Sequence, residues 1–214
     1  MFGEGGVIES GREGLICIDT STISPVATER IAERLGGEGV TLLDAPISGG
    51  EIGAVKGKLS IMMGGDREKV EQVRDIMEVM GKVTYCGESG KGQVTKLANQ
   101  IMVVHTLMSM AEGLAFAKKT GLDLETTLEV TTGGAAGSHS LKILGKKVVE
   151  GDFEPAFMVD LQMKDLRLVM EYARDVKQPL PGTALVNQLL STLQARGRGR
   201  DGTQALFEVI CELG

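Results

Sequence analysis

The stretch from Gly90 to Leu122 constrains the fold more than any other part of the chain. Its apolar residues recur at helical spacing and spread around much of the circumference, a pattern typical of a long helix that other elements enclose. The apolar positions are Val94, Leu97, Ile101, Val104, Met108, Ala111, Leu114 and Ala115. Gly121 follows the last of them and is a residue type that commonly ends helices. The sequence therefore predicts one long, buried helix in this region.

Three polar side chains interrupt this apolar pattern on one face of the predicted helix. Lys96, Asn99 and Gln100 are related by spacings of three and four residues, which places one ammonium group and two carboxamides side by side. Burial lowers the pKa of a lysine by penalising its charged form, which suits such a residue to proton transfer near neutral pH. The alternative is that Lys96 reaches the surface along its aliphatic stem. The helix alone does not decide between these interpretations.

The chain before this helix alternates between short apolar runs and amphipathic segments. Residues 14–19 and 41–46 read as strands, and Ser24 and Pro25 start a helix between them as N-cap and first helical residue. A strand, helix, strand unit of about thirty residues is the repeating unit of a parallel sheet. Further strands are predicted at residues 59–63 and 83–86. The pattern indicates an α/β domain.

The chain after Gly87 changes character. Short glycine or polar segments separate runs with helical spacing, and no further strand is indicated. The predicted fold class is α/β followed by all-α, with one domain at residues 1–88 and an all-α domain at residues 89–214. The two are joined by the long helix.

Composition narrows the classes of partner and compartment. The 23 basic and 29 acidic residues give a net charge of -6, so a nucleic-acid partner is not expected. Three scattered cysteines and two histidines predict neither a disulfide framework nor a metal site. No apolar stretch of about 18 residues is free of charge, so a membrane span is not indicated. A signal peptide is not indicated either, because the N-terminus lacks a basic region followed by an apolar core. A cytoplasmic protein fits these features best.

Two polar loops follow predicted strands, at the sheet edge where open α/β sheets bind ligands. They are residues 20–24 and the segment Ser48, Gly49 and Gly50, whose hydroxyl and backbone N–H groups could converge on a carboxylate. A plain glycine turn is the alternative for the second loop. A third glycine-rich segment, residues 197–202, matches the GxGxxG spacing formally. It follows a helix and not a strand, so it does not predict a dinucleotide site.

Four motifs in order carry a family resemblance. They are the segments at residues 19–25, 44–50, 90–92 with 96–100, and 164–166, which read DTSTISP, DAPISGG, GKG with KLANQ, and KDL. Together they resemble the β-hydroxyacid dehydrogenases, which include 3-hydroxyisobutyrate dehydrogenase and 2-hydroxy-3-oxopropionate (tartronate semialdehyde) reductase. Residues 133–138 and 96–100 look closer to the second enzyme. The resemblance implies a Rossmann-type cofactor domain, an all-α substrate and oligomerisation domain, and a catalytic lysine on the helix between them.

The resemblance assigns expected roles to the polar residues already noted. It implies that Lys96 is catalytic and exchanges a proton with the substrate oxygen while hydride passes to or from NAD or NADP. It also implies that Ser48, Gly49 and Gly50 hold the carboxylate of a small substrate. No residue is implied as a metal ligand.

The resemblance further implies that Asn99 and Gln100 flank the substrate and that Thr22 and Lys164 contact the nicotinamide cofactor. The family pattern often has asparagine four residues after the catalytic lysine. Here that place is taken by Gln100, with Asn99 one residue earlier. Which amide makes the key contact is left open by the sequence.

One part of the family pattern has no counterpart in residues 1–214. The family begins with a strand, GxGxxG and a helix that hold the cofactor pyrophosphate. We therefore expect the C-terminal part of a Rossmann-type domain, impaired NAD(P) binding and uncovered apolar edges that favour a homo-oligomer, either a dimer or a tetramer. The alternative function is a non-catalytic relic or assembly module that retains a small-carboxylate site.

Overall fold

The computed structural model describes residues 1–214, except for the side chain of Ser10. It divides into two compact units, Met1–Ala98 and Asn99–Gly214. The first contains a mixed sheet with helices and the second is helical, so the predicted class of α/β followed by all-α is confirmed. The division falls inside the long helix.

Strands and helices alternate through the first unit. Its elements are α1 (Val7–Ser10), β1 (Ile16–Asp19), α2 (Pro25–Gly36), β2 (Thr41–Asp44), β3 (Ile47–Ser48), α3 (Gly50–Val55), β4 (Leu59–Gly64), α4 (Arg67–Glu78), β5 (Gly81–Gly87) and the start of α5 (Lys91–Lys119). Ser24 caps α2, because its Oγ accepts a hydrogen bond from the N–H of Ala27 at 3.3 Å. The predicted helix start at Ser24 and Pro25 is thereby confirmed.

The sheet is mixed, whereas the sequence predicted a parallel sheet. Strands β1 and β2 are parallel, as are β4 and β5. Both β2 and β3 run antiparallel to β4, with Ser48 opposite Ser60. Only two residues form β3 and six form α3. Elements this short carry too little periodicity to be recognised from sequence.

The second unit is built around the remainder of α5. Its further elements are α6 (Leu124–Thr132), α7 (His139–Glu150), α8 (Val159–Asp175), α9 (Pro181–Ala195), a short 3-10 helix (Thr203–Ala205) and α10 (Leu206–Glu212). From α5, Val104, Leu107 and Leu114 lie in the hydrophobic core of this unit, each at most 2% exposed. By length and hydropathy alone α5 could also cross a membrane. The core helix of a globular domain meets the same criteria, and 44% of the most apolar 18-residue window of α5 is buried within the protein.

The GxGxxG segment at residues 197–202 serves the packing of this helical unit. The carbonyl of Gly199 accepts a hydrogen bond from the N–H of Asp160 at the start of α8, at 2.8 Å. A Cβ on Gly199 would collide with the Asp160 carboxylate, and one on Gly202 would collide with Gln204. These glycines allow close approach of the backbone to its neighbours, which accounts for them without a dinucleotide.

Two glycines of α5 are expected to respond oppositely to alanine. A Cβ on Gly92 would lie 2.7 Å from Oδ2 of Asp44 and closer still to the carbonyl of Met62, whereas a Cβ on Gly113 would meet nothing within 4 Å. Gly92→Ala should therefore lower the free energy of unfolding by about 2 kcal/mol or more. Gly113→Ala should raise it by about 1 kcal/mol, the difference in helix propensity. Urea denaturation of both variants measures these changes. Equal changes in the free energy of unfolding would contradict the close packing described for Gly92.

Candidate active site

A buried carboxylate fixes the beginning of α5. Asp44 stands at the end of β2 and has no exposed surface. Its Oδ1 accepts a hydrogen bond from the N–H of Gly90, and its Oδ2 accepts one from the N–H of Gln93, both at 2.9 Å. These N–H groups belong to the first turn of a helix, where no intrahelical partner is available. Asp44 therefore caps α5 from a distant strand and ties the helix to the carboxyl edge of the sheet.

The surroundings of Asp44 act on its ionisation in two directions. Burial raises the pKa of the Asp44 carboxyl above its ordinary value, and the backbone N–H groups of Gly90 and Gln93 offset part of that rise. The cause is that loss of hydration penalises the charged form, while hydrogen bonds to the carboxylate favour it. Burying the Asp44 carboxylate therefore costs free energy, and its hydrogen bonds to the start of α5 offset part of that cost.

Lys96 lies in the second turn of this anchored helix. It is only 7% exposed, so its side chain does not run along the surface as one interpretation of the sequence allowed. A buried lysine is uncommon in proteins and has a specific polar environment where it occurs. Its position in the first unit and its burial fit the predicted catalytic residue. The role itself stays a prediction.

The loop that contains Thr22 contacts the same helix. It follows β1 directly, and Thr22 is half-buried. The Gln93 side chain accepts a hydrogen bond from the N–H of Ile23 at 3.1 Å and donates one to the carbonyl of Ser21 at 2.8 Å. The structure thereby brings the predicted cofactor residue Thr22 to the beginning of α5. Open α/β sheets bind ligands at the carboxyl ends of their strands, and the contact of Thr22 with a cofactor stays a prediction.

Ser48, Gly49 and Gly50 occupy the turn between β3 and α3. Gly49 has a φ of 135° and Gly50 a φ of 62°, both in the region that favours glycine. Gly50 is the first residue of α3, so the last residue of the predicted loop is helical. Ser48 is half-buried, whereas both glycines are exposed and present backbone groups to solvent. This is more than a plain turn in a hairpin, and its contact with a substrate carboxylate stays a prediction.

A hydrogen-bonded network joins the predicted residues of the second unit. Nδ2 of Asn99 donates to Oε1 of Gln100 at 2.9 Å, and Nε2 of Gln100 donates to Oδ2 of Asp165 at 2.7 Å. Nζ of Lys164 lies 2.7 Å from Oδ1 of the same aspartate. Gln100 and Asp165 are buried, at 3% and 2% exposure. Asp165 therefore orients both Gln100 and the Lys164 ammonium group.

Three residues of these networks were not identified from the sequence as site residues. Asp44, Gln93 and Asp165 are each less than 3% exposed. Gln93 bonds to the backbone on both sides of Thr22, Asp165 bonds to Gln100, and Asp44 holds the backbone at the beginning of α5. Each occupies a position where the local pattern calls for an apolar side chain: a strand end, a buried helix face, or the inner face of α8. Polar residues at apolar positions were the available signal.

Two family models together match most of the chain. One, described as the NAD binding domain of 6-phosphogluconate dehydrogenase, matches residues 1–87. The other, described as NAD-binding of NADP-dependent 3-hydroxyisobutyrate dehydrogenase, matches residues 90–210. The two matches adjoin immediately before α5.

Individual relatives agree with these models. The chain is 42% identical over 202 residues to a 3-hydroxyisobutyrate dehydrogenase-like protein of Arabidopsis thaliana, covering 94% of this chain and 60% of that protein. It is 38% identical over 211 residues to 2-hydroxy-3-oxopropionate reductase of Escherichia coli, covering 98% of this chain and 72% of the reductase. The crystal structure of 3-hydroxyisobutyrate dehydrogenase from Salmonella typhimurium superposes with a TM-score of 0.88 at 27% identity, covering 95% of this chain and 72% of that one.

Proposed function

Because this chain belongs to the β-hydroxyacid dehydrogenase family, we propose that it interconverts a small β-hydroxy acid and its semialdehyde with NAD or NADP. The membership confirms the resemblance expected from the four sequence motifs. The observation that carries the proposal is Lys96, 7% exposed on a helix whose first turn is anchored to Asp44 and to the loop beside Thr22. The chain spans 60% to 72% of the length of the two relatives, so the activity is proposed for this polypeptide and not transferred to it.

Lys96 has the central chemical role in this proposal. The cofactor supplies or accepts a hydride at its nicotinamide ring. Lys96 gives a proton to the carbonyl oxygen during reduction and takes it from the hydroxyl during oxidation. Its ammonium group also stabilises negative charge as that charge develops on the oxygen. The hydrogen bonds of Asp44 to the start of α5 hold Lys96 in place, because Lys96 lies one helical turn after Gln93.

Substrate contacts are assigned to polar groups that are not already used in hydrogen bonds within the protein. We assign the substrate carboxylate to Ser48, Gly49 and Gly50, where a hydroxyl lies next to two exposed glycines. Between the two amides we favour Asn99 as the substrate contact. Gln100 is buried, and both ends of its carboxamide are engaged, by Asn99 and Asp165. Gln100 then supports Asn99 from behind.

Cofactor contacts are assigned to Thr22 and Lys164. Thr22 stands in the loop at the carboxyl end of β1, and Lys164 is 38% exposed in its side chain beside the buried Asp165. We further propose that residues 1–88 form the cofactor domain and residues 89–214 the substrate domain, and that the protein is a cytoplasmic homo-oligomer. The choice between NAD and NADP is one of the outcomes of the test below.

The specific substrate proposed is 2-hydroxy-3-oxopropionate. Relatives bearing that name and the 3-hydroxyisobutyrate dehydrogenase name both match, so reduction of NAD or NADP by 3-hydroxyisobutyrate is assayed alongside it. The purified chain should oxidise NADH or NADPH in the presence of 2-hydroxy-3-oxopropionate. Glycolaldehyde, an aldehyde without the carboxylate, should be reduced at least about 100-fold less efficiently. Absence of both cofactor binding and turnover would overturn the proposal and favour the non-catalytic alternative.

A further inference from the structure

The side-chain amide of Gln93 forms hydrogen bonds to backbone groups of the loop that contains Thr22. It has no exposed surface and forms one hydrogen bond on each side of Thr22, to the carbonyl of Ser21 and to the N–H of Ile23. Its own backbone N–H is held by the Asp44 carboxylate. A buried amide that satisfies both its donor and its acceptor on one short loop fixes the conformation of that loop.

Further hydrogen bonds hold the two ends of the loop. The N–H of Ser21 donates to Oδ1 of Asp19 at 2.9 Å, and Ser24 caps the helix that follows. Between these points the loop has no regular secondary structure. Gln93 reaches the backbone on both sides of Thr22 from a different element. Loops without such ties open locally at little cost in free energy.

Gln93 and Lys96 are three residues apart on α5 and both are buried, at 0% and 7% exposure. Residues at this spacing are neighbours on one side of a helix. The amide that holds the loop and the proposed proton donor therefore belong to one rigid element within the first unit. A displacement of the loop relative to the helix would change the distance between Thr22 and Lys96.

We propose that Gln93 is a positioning residue. It holds the Thr22 loop, and with it the nicotinamide end of the cofactor, at a fixed position relative to Lys96. The assignment to the cofactor rests on the proposed function, whereas the fixation of the loop does not. Gln93 itself does not touch reacting atoms. Its removal should weaken cofactor binding and slow the reaction together, with a smaller effect on substrate KM.

Hydrogen exchange of the Ile23 amide, followed by NMR, tests the fixation without any cofactor. In Gln93→Met, which keeps the length of the side chain and loses both hydrogen bonds, exchange at Ile23 should accelerate roughly 10-fold or more. In Gln93→Glu, an acceptor for Ile23 remains and the donor to Ser21 is lost, so exchange should accelerate less. If Gln93→Met does not fold, exchange at Ile23 in Gln93→Glu tests the proposal.

Gln204→Met is the matched control. Gln204 also has no exposed surface and donates from Nε2 to two backbone carbonyls, those of Asp152 and Glu154, in the second unit. The control should leave Ile23 exchange and the affinity for NADH or NADPH unchanged. Gln93→Met should raise the cofactor Kd roughly 10-fold, and the pH profile of kcat should keep its shape, because Lys96 is retained.

Each outcome bears on the proposal separately from the proposed function. Unchanged Ile23 exchange in both Gln93 variants would overturn the fixation. Faster exchange with unchanged cofactor affinity would overturn the positioning role. If the wild-type chain binds no NADH or NADPH, the proposed function and the cofactor part of this inference both fail, and the exchange data still decide whether Gln93 holds the loop.

Discussion

Lys96→Met is expected to lower kcat by about 1,000-fold, while the Kd for NADH or NADPH changes by no more than about two-fold. Proton transfer by a positioned side chain contributes roughly 100- to 10,000-fold to enzymatic rates, and the ammonium group adds stabilisation of the developing oxyanion. Methionine preserves the length and the buried stem of Lys96, which is 7% exposed, so the loss should reflect the missing proton and charge. Steady-state kinetics and cofactor titration measure the two quantities.

Lys91→Met is the matched control for this variant. Lys91 is the first residue of the same helix and is exposed. Its replacement removes a lysine from α5 without removing a buried group, so kcat should stay within about two-fold of the wild-type value. Comparable losses in both variants, or a near-normal rate in Lys96→Met, would contradict the assignment of Lys96 as the proton donor.

Asp44→Ala is expected to lower the free energy of unfolding by roughly 3 kcal/mol. The change leaves the N–H groups of Gly90 and Gln93 buried without their acceptor. Each such group costs about 1 to 3 kcal/mol, and relief of the buried carboxylate offsets part of the sum. Asp66→Ala provides the comparison, because Asp66 caps α4 at an exposed helix start and should cost about 1 kcal/mol. Equal costs in urea denaturation would contradict the anchoring role of Asp44.

The pH dependence of Asp44 follows from the direction of its shift. Burial raises the pKa of Asp44 in the folded protein above its value in the unfolded chain. The unfolded chain then loses this proton at a lower pH than the folded protein, so the contribution of Asp44 to stability falls as pH rises through the two values. Asp44→Asn does not titrate at this site. The difference in unfolding free energy between wild type and Asp44→Asn should therefore shrink from acidic to neutral pH, and an increase would contradict the shift.

The fold was predictable wherever periodicity extended over several residues. The long helix, the N-cap Ser24 and the change from α/β to all-α follow from local patterns that tertiary packing reinforces. The two-residue β3 and its antiparallel pairing with β4 were not predictable, because strand direction there depends on contacts between Ser48 and Ser60. Local sequence does not encode such pairing.

The candidate site was predictable only in part, for a related reason. Lys96 was recognisable as a polar residue within an apolar helix, and the structure confirms its burial. The partners of the predicted residues were not recognisable. Gln93 bonds to residues 70 and 72 positions earlier, and Gln100 to one 65 positions later. Hydrogen bonds across such separations are decided by the fold, so local sequence patterns do not indicate the supporting amides and carboxylates.

Transfer of deuterium tests the proposed chemistry most directly. NADH or NADPH deuterated at the transferring C4 position is supplied to the wild-type chain with 2-hydroxy-3-oxopropionate, and the product is analysed by mass spectrometry. A hydride-transferring reductase should place one deuterium on the new carbinol carbon, and Lys96→Met should form this labelled product about 1,000-fold more slowly. Unlabelled product, or labelled product at an equal rate in Lys96→Met, would contradict the account.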